Sequence, residues 1–322
     1  MRRISMISIA LCTYNGEKYI GEQLQSIMQQ TLQPDEIVIC DDQSKDRTID
    51  VIKNTLKYWN GNWRLIQNSK NLGYKKNFQK VISLCQGDVI FLCDQDDVWE
   101  QRKLEVMVPV FNDPNVILAF HDADIVNENL ETIRSSFWNE LNFDIEAFQN
   151  GDYSCLLIGN FIQGAASGFR KSLFKQSIPF PNTAFHDEWL ALNAAFLGKI
   201  VPVPQLLLKY RQRGNNALGG PQKNTLAKKI QTWFCEFQNK KNEYKAYQKH
   251  EFDLWKVLVT KYPNGIIGKI KSKDFFEFLY KREKGLFDRS YNSLPSLTEY
   301  QKFYAQSSQG RKQWLKDKFL SL

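Results

Sequence analysis

Apolar runs that stop on carboxylates, separated by stretches with helical spacing, restrict this chain to one class of fold. Ile37-Val38-Ile39-Cys40 ends on Asp41 and Asp42, and a second run over residues 89–93 ends on Asp94, Asp96 and Asp97, with Trp99 just beyond. A third β-rich run, residues 4–12, leads into Thr13-Tyr14-Asn15-Gly16. Between the runs, Tyr19, Ile20, Gln23, Leu24, Ile27 and Met28 recur at three- and four-residue spacing. After Asp42, Ser44 and Asp46 stand as caps before Ile49, Ile52 and Leu56. The alternation predicts an α/β fold, a mostly parallel sheet with helices on its faces. Ligands of such sheets bind beyond the carboxyl ends of the strands, where Thr13, Asp42 and Asp94 all fall.

Three carboxylates as near in sequence as Asp94, Asp96 and Asp97 repel one another unless a cation or sugar hydroxyls take up their charge. Hard oxygen donors suit Mg²⁺ or Mn²⁺, which keep part of their shell for a substrate phosphate. The other reading is an acidic turn whose aspartates cap free N–H groups of the next helix.

The chain resembles the inverting nucleotide-sugar glycosyltransferases of family 2, with their GT-A type of α/β fold. The resemblance rests on residues 8–16 (Ser-Ile-Ala-Leu-Cys-Thr-Tyr-Asn-Gly), residues 39–46 (Ile-Cys-Asp-Asp-Gln-Ser-Lys-Asp), Asn71-Leu72-Gly73 and Cys93-Asp94-Gln95-Asp96-Asp97-Val98-Trp99, in that order. His186-Asp187-Glu188-Trp189-Leu190 and Tyr210-Arg211-Gln212-Arg213 are similar to the family's acceptor-side acidic motif and its late basic segment. The likeness spans residues 4–215, and its subgroup is similar to bacterial surface-polysaccharide and O-antigen enzymes, rhamnosyltransferases among them. It implies transfer of a sugar from a nucleoside diphosphate, UDP or dTDP, to a hydroxyl of a glycan or lipid-linked glycan, with inversion.

The resemblance also implies roles. Asp96 is the metal ligand, and Asp94 assists it or holds the ribose. Thr13, Tyr14, Asn15, Glu17, Ser44 and Gln95 belong to the donor-nucleotide site, with Asp42 accepting from the N3–H of uracil or thymine. Gly73 and Asn77 lie near the diphosphate, although an ordinary turn and helix start explain them equally. Asp187, at the start of a periodic stretch, is the general base, with Glu188 as its substitute and an N-cap as its plain structural role. His186 is expected as a hydrogen-bonded orienter, and Gly164, Trp189 and Arg211 as acceptor or diphosphate contacts. A sugar-nucleotide nucleotidyltransferase would share sheet and metal but needs a glycine-rich basic loop after the first strand, where this chain has Thr-Tyr-Asn-Gly-Glu. A non-catalytic nucleotide-sugar-binding protein would lack the metal acid or the base.

Charge divides the chain. Residues 221–322 hold 21 Lys and Arg against 10 Asp and Glu, leaving 22 against 25 for residues 1–220. The turn formers of residues 213–221 mark the boundary between a catalytic domain, 1–220, and a basic, mainly helical region, 221–322. There Leu226, Ile230, Trp233 and Phe237 form a stripe, with Lys228, Lys229, Lys240 and Lys241 elsewhere. Such a helix suits an anionic membrane surface or packing on the enzyme. Nucleic acid is not expected, since no motif for it accompanies the charge. The six cysteines show no Cys-x-x-Cys spacing and read as small core residues of a reducing, cytoplasmic compartment. Residues 4–11 read as a first strand rather than a signal, and no stretch reaches the roughly 18 to 20 apolar residues of a membrane span.

Overall fold

The computed structural model describes residues 6–157, 159–212, 249–250, 252–267, 270–287, 295–296, 298–300 and 317. Cys235 and the basic stripe at Leu226 to Phe237 lie outside them. The chain divides into two compact units, one of residues 1–151, 160–180 and 185–216, the other of residues 152–159, 181–184 and 217–322.

The first unit follows the alternation of the sequence: β1 (Ile7–Thr13), α1 (Ile20–Met28), β2 (Glu36–Asp41), α2 (Thr48–Leu56), β3 (Asn62–Gln67), α3 (Tyr74–Leu84) and β4 (Val89–Cys93). Then come β5 (Val98–Trp99), α4 (Lys103–Met107), β6 (Val116–Val126), β7 (Thr132–Arg134), α5 (Phe137–Glu140), α6 (Ile145–Gln149), β8 (Ser167–Arg170), α7 (Lys171–Ser177), α8 (His186–Leu197) and β9 (Lys199–Arg211). One sheet runs β3-β2-β1-β4-β8-β6-β9-β5, with β7 paired to β6.

Its first half is parallel, as the crossover helices require. In the second half β8 runs antiparallel between β4 and β6, and β5 antiparallel to β9, so the sheet is mixed. The residue that allows this is Gly168, paired with Phe91. A Cβ there would stand 2.5 Å from the Phe91 ring. Thus part of the small-residue segment before Arg170 serves strand packing.

β1, β2 and β4 are buried along their lengths, as continuous apolar strands covered on both faces should be. Ile9, Leu11, Ile37, Ile39 and Phe91 meet Ile20, Leu24, Ile27, Ile52 and Leu56 of the helices in one core. Cys12, Cys40, Cys85 and Cys93 are buried free thiols, and burial pushes the Cys40 thiol up to about 11. The second unit contains helices over residues 252–261 and Ser272–Phe287, in which Trp255, Leu258, Phe275 and Phe278 are buried. Among the described residues no helix is long and apolar enough to cross a membrane.

Candidate functional site

Parallel register brings the strand ends together: Thr13 stands opposite Asp41, and Leu11 opposite Cys93. The chain leaving each strand therefore emerges at one edge of the sheet, carrying Tyr14, Asp42 and Asp94. Asp41, fully buried, accepts from Thr13 Oγ1 (2.8 Å), Ser44 N (2.9 Å) and Ser44 Oγ (2.5 Å). Ser44 Oγ in turn accepts from Asn15 N at 2.9 Å, so it clips two loops together and is not a helix cap. Asp46 does meet the helix start, accepting from Thr48 N at 3.0 Å, and it also accepts from Glu17 N at 3.0 Å. Glu17 accepts from Arg47 N at 2.9 Å.

Asp42 accepts three N–H bonds, from Asn68 Nδ2 (2.8 Å), Leu72 N (2.7 Å) and Gly73 N (2.8 Å). It pins the Asn71-Leu72-Gly73 turn, whose last residue has φ 76°, a conformation that glycine adopts freely. Asn77 is buried, donating to Cys40 O at 2.9 Å and accepting from Asn68 Nδ2 at 2.9 Å. It ties α3 to β2 from beneath the turn, so the expected contact with a diphosphate becomes a structural bond. Gln95 closes the edge. Its Oε1 accepts from Tyr14 N at 2.8 Å, and its Nε2 donates to Tyr14 O at 3.0 Å.

Asp94 and Asp96 are half-buried, whereas Asp97 is buried and accepts from Arg211 N at 3.0 Å. Burial, then repulsion by Asp96 and Asp94, pushes the Asp97 carboxyl well above the usual carboxylate range. Asp94 and Asp96, half-buried beside it, offer the hard oxygen donors that a divalent cation takes. Among the described residues no three His, Cys, Asp or Glu side chains converge as a ready metal cage.

Arg211 differs from its expectation as a diphosphate contact. Only 2% exposed, its guanidinium donates to Asp96 O (2.8 Å), Glu22 Oε2 (2.5 Å) and the Glu128 carbonyl, so it supports the acid loop from within. Trp189 is also a correction: buried, its indole N–H donates to Ser177 O at 2.6 Å, which makes it a core anchor of α8.

Asp187 is the second residue of α8, as its position before the periodic stretch predicts. Its Oδ1 accepts from Glu188 N at 2.8 Å and its Oδ2 from Gly164 N at 3.1 Å. Glu188 Oε2 accepts from Phe185 N at 3.2 Å, a capping bond. His186 is stacked on Phe78, with ring centroids 4.0 Å apart, and neither ring nitrogen has a hydrogen-bond partner. It is therefore no hydrogen-bonded orienter. Burial lowers its pKa, only partly opposed by Asp187. His121, whose Nδ1 lies 2.7 Å from Asp122 O, is held well below the ordinary value by burial.

Sequence reasoning missed Lys103. Fully buried, it lies over the Trp99 ring (3.7 Å) and donates from Nζ to Ala165 O at 2.6 Å. Burial lowers its pKa to about 7, while Cys93, Asp97 and Asp94 draw it upward. Through it the segment after the acid loop holds the Gly164–Ala166 turn, and that turn holds Asp187. No spacing signal marks a lysine used this way. A cavity of about 660 Å³ lies elsewhere, lined by Glu22, Trp99 and Leu206 among others, and none of Asp94, Asp96 and Asp187 lines it.

Comparison with known proteins agrees with this architecture. An uncharacterized glycosyltransferase of Nostoc sp. is 29% identical over 217 residues, 65% of this chain and 66% of the relative. An Escherichia coli UDP-Glc:α-D-GlcNAc-diphosphoundecaprenol β-1,3-glucosyltransferase is 27% identical over 124 residues, 38% of this chain and 48% of that protein. The matches thus span less than two thirds of these relatives. Two solved structures share the fold. Staphylococcus aureus TarS 1–349 in complex with UDP-GlcNAc has a TM-score of 0.59 at 15% identity, over 97% of this chain and 89% of that one. The Pyrobaculum calidifontis mannosyltransferase PcManGT, in complex with GDP-Man and Mn²⁺, has a TM-score of 0.56 at 14% identity, over 100% and 85%. The family description Glycosyl transferase family 2 matches residues 8–177, more than half of the 322 residues and all three strands that build the acidic edge, so the chain belongs to that family.

Proposed function

We propose that the protein moves a sugar from a UDP- or dTDP-sugar, dTDP-rhamnose among the candidates, to a hydroxyl of a glycan or lipid-linked glycan, with inversion, in bacterial surface-polysaccharide or O-antigen synthesis. The observation that carries this is the linkage of two carboxylate sets through one pinned backbone: Asp94 and Asp96 at the end of β4, and Asp187 on α8, joined by way of Trp99, Lys103, Ala165 and Gly164. Support for a diphosphate-linked acceptor comes from the name of the E. coli relative.

Asp94 and Asp96 would hold Mg²⁺ or Mn²⁺, whose chemistry when bound is to neutralise charge on the diphosphate. The Tyr14–Gln95 clip and the Asp42-pinned turn shape the donor side. Asp187 takes the proton of the acceptor hydroxyl as its oxygen bonds to the anomeric carbon. The bond from that carbon to the diphosphate oxygen breaks on the opposite face, giving inversion. Proximity to the attacking hydroxyl is what lets Asp187 take the proton.

Incubation with a panel of UDP-, dTDP- and GDP-sugars tests the reading. Slow release of nucleoside diphosphate from one donor, accelerated by a glycan, is expected, and no release from any donor overturns it. The basic region 221–322 we assign to an anionic membrane surface, because of its charge excess. Flotation with anionic and neutral vesicles, at low and high salt, checks this; equal partition in both overturns it.

A further inference from the structure

We propose that Tyr74 and Phe185, with the wedge between His186 and Asp187, form a shelf on which a pyranose ring of the acceptor glycan docks. The inference rests on the reading of Asp187 as base. Tyr74 opens α3 directly after Gly73, so the Asp42 carboxylate that holds the Gly73 N–H also fixes where this ring stands. The ring is 44% exposed and stacks on Phe185, with centroids 6.3 Å apart and planes 19° apart; its contact with His186 is edgewise, at 6.3 Å and 74°. Phe185 immediately precedes α8, so the pair bridges the donor-side turn and the helix that carries Asp187. Lys75 Nζ lies 4.6 Å from the Phe185 centroid, a direct sign of how these faces attract positive charge.

A pyranose ring presents a face of weakly positive C–H groups to such a surface and hydroxyls around its rim. The rim finds partners here. His186 is 7% exposed, yet both its nitrogens lack a hydrogen bond, an unfavourable state that a sugar hydroxyl would relieve. Gly164 packs closely on both residues, since a Cβ on it would stand 3.1 Å from His186 Nε2 and 3.5 Å from Asp187 Oδ2. A hydroxyl entering this wedge meets the imidazole and the base together.

Charge at the shelf is mixed, with Lys75 over the Phe185 face and two carboxylates beside Tyr74. Asp187 and Glu188 act on the Tyr74 hydroxyl, which burial and these two carboxylates push up to about 12, so it stays a protonated donor. With charges of both signs in reach, a neutral ring whose hydroxyls both donate and accept suits the shelf. The donor base has its own exposed aromatic, Tyr14, 48% exposed beside Gln95.

The experiment is saturation-transfer NMR of the full chain with methyl glycosides of glucose, galactose, mannose, rhamnose and N-acetylglucosamine. Ring C–H protons of at least one glycoside should saturate with the wild type and with Tyr74→Phe. With Tyr74→Ala, apparent affinity should fall about ten-fold, at a thermal midpoint close to that of the wild type. Tyr74→Phe distinguishes a lost stacking face from a damaged fold. No saturation with any glycoside, or equal signals from wild type and Tyr74→Ala, overturns the shelf and leaves the transferase reading standing. Failure of the wild type to release nucleotide from any sugar donor would instead strike that reading.

Discussion

Asp42 ends a strand and Asp187 starts a helix, yet their carboxylates are treated differently. Asp42 receives three N–H bonds from partners 26, 30 and 31 residues away, which fold a distant turn onto the strand end. Asp187 receives two, one from the residue beside it, and has next to it a histidine whose ring nitrogens make no hydrogen bond. Donors that fill a carboxylate fix its surroundings. On the proposed reading, the donor side would be a rigid mould and the acceptor side would keep hydrogen-bonding capacity for a substrate. Asp97 shows a third condition, burial with one N–H bond, and its proton affinity rises.

Three measurements break or sharpen this contrast. Asp96→Ala should reduce transfer by about 10²–10³-fold in steady-state assays, the scale for removing a charge-stabilising group. Undiminished turnover with excess chelator would remove the metal from the donor side. Asp187→Asn keeps shape and loses basicity, so transfer should drop roughly 10²-fold while nucleotide-sugar affinity, measured by calorimetry, is retained. If affinity collapses as well, Asp187 is a pin like Asp42 and the contrast fails.

The smallest effect concerns acidity. His186 has its folded pKa below the ordinary 6.5, so above that pH it is neutral folded or unfolded and adds nothing. As pH falls through 6.5 the unfolded chain takes up the proton first, and stability declines by up to about 1.4 kcal/mol per pH unit. His186→Phe should flatten urea-unfolding stability between pH 6.5 and 5, leaving the part due to His121. An unchanged slope would mean that His186 finds a partner in solution.

The strand ends were legible because apolar runs closing on acids report both burial and edge, and Asp187 because a periodic stretch begins beside it. The partners were not. Nothing local tells that Asp42 is claimed by Leu72 and Gly73, that Asn77 reaches back to Cys40, or that Arg211 turns inward to Asp96. Those bonds depend on how strands pair, and period-two patterning leaves neighbour order open. β8 illustrates it: a short segment of small residues gave no sign that it would run antiparallel between β4 and β6. Lys103 was hidden for another reason, since a lysine in a short helix is ordinarily solvated, and only a carbonyl and an indole face placed by tertiary folding make its burial tolerable.

The side-chain amide of Gln95 imitates a peptide unit. By offering Tyr14 one acceptor and one donor, it adds a rung to the sheet beyond the last residue of β1. Two loops that separate strands would let wander independently are spliced into one ribbon. Whatever displaces Tyr14 must therefore tug on Asp94 and Asp96 through a single glutamine, and a carboxylate in its place, able to accept but not to give, would unzip half of the splice.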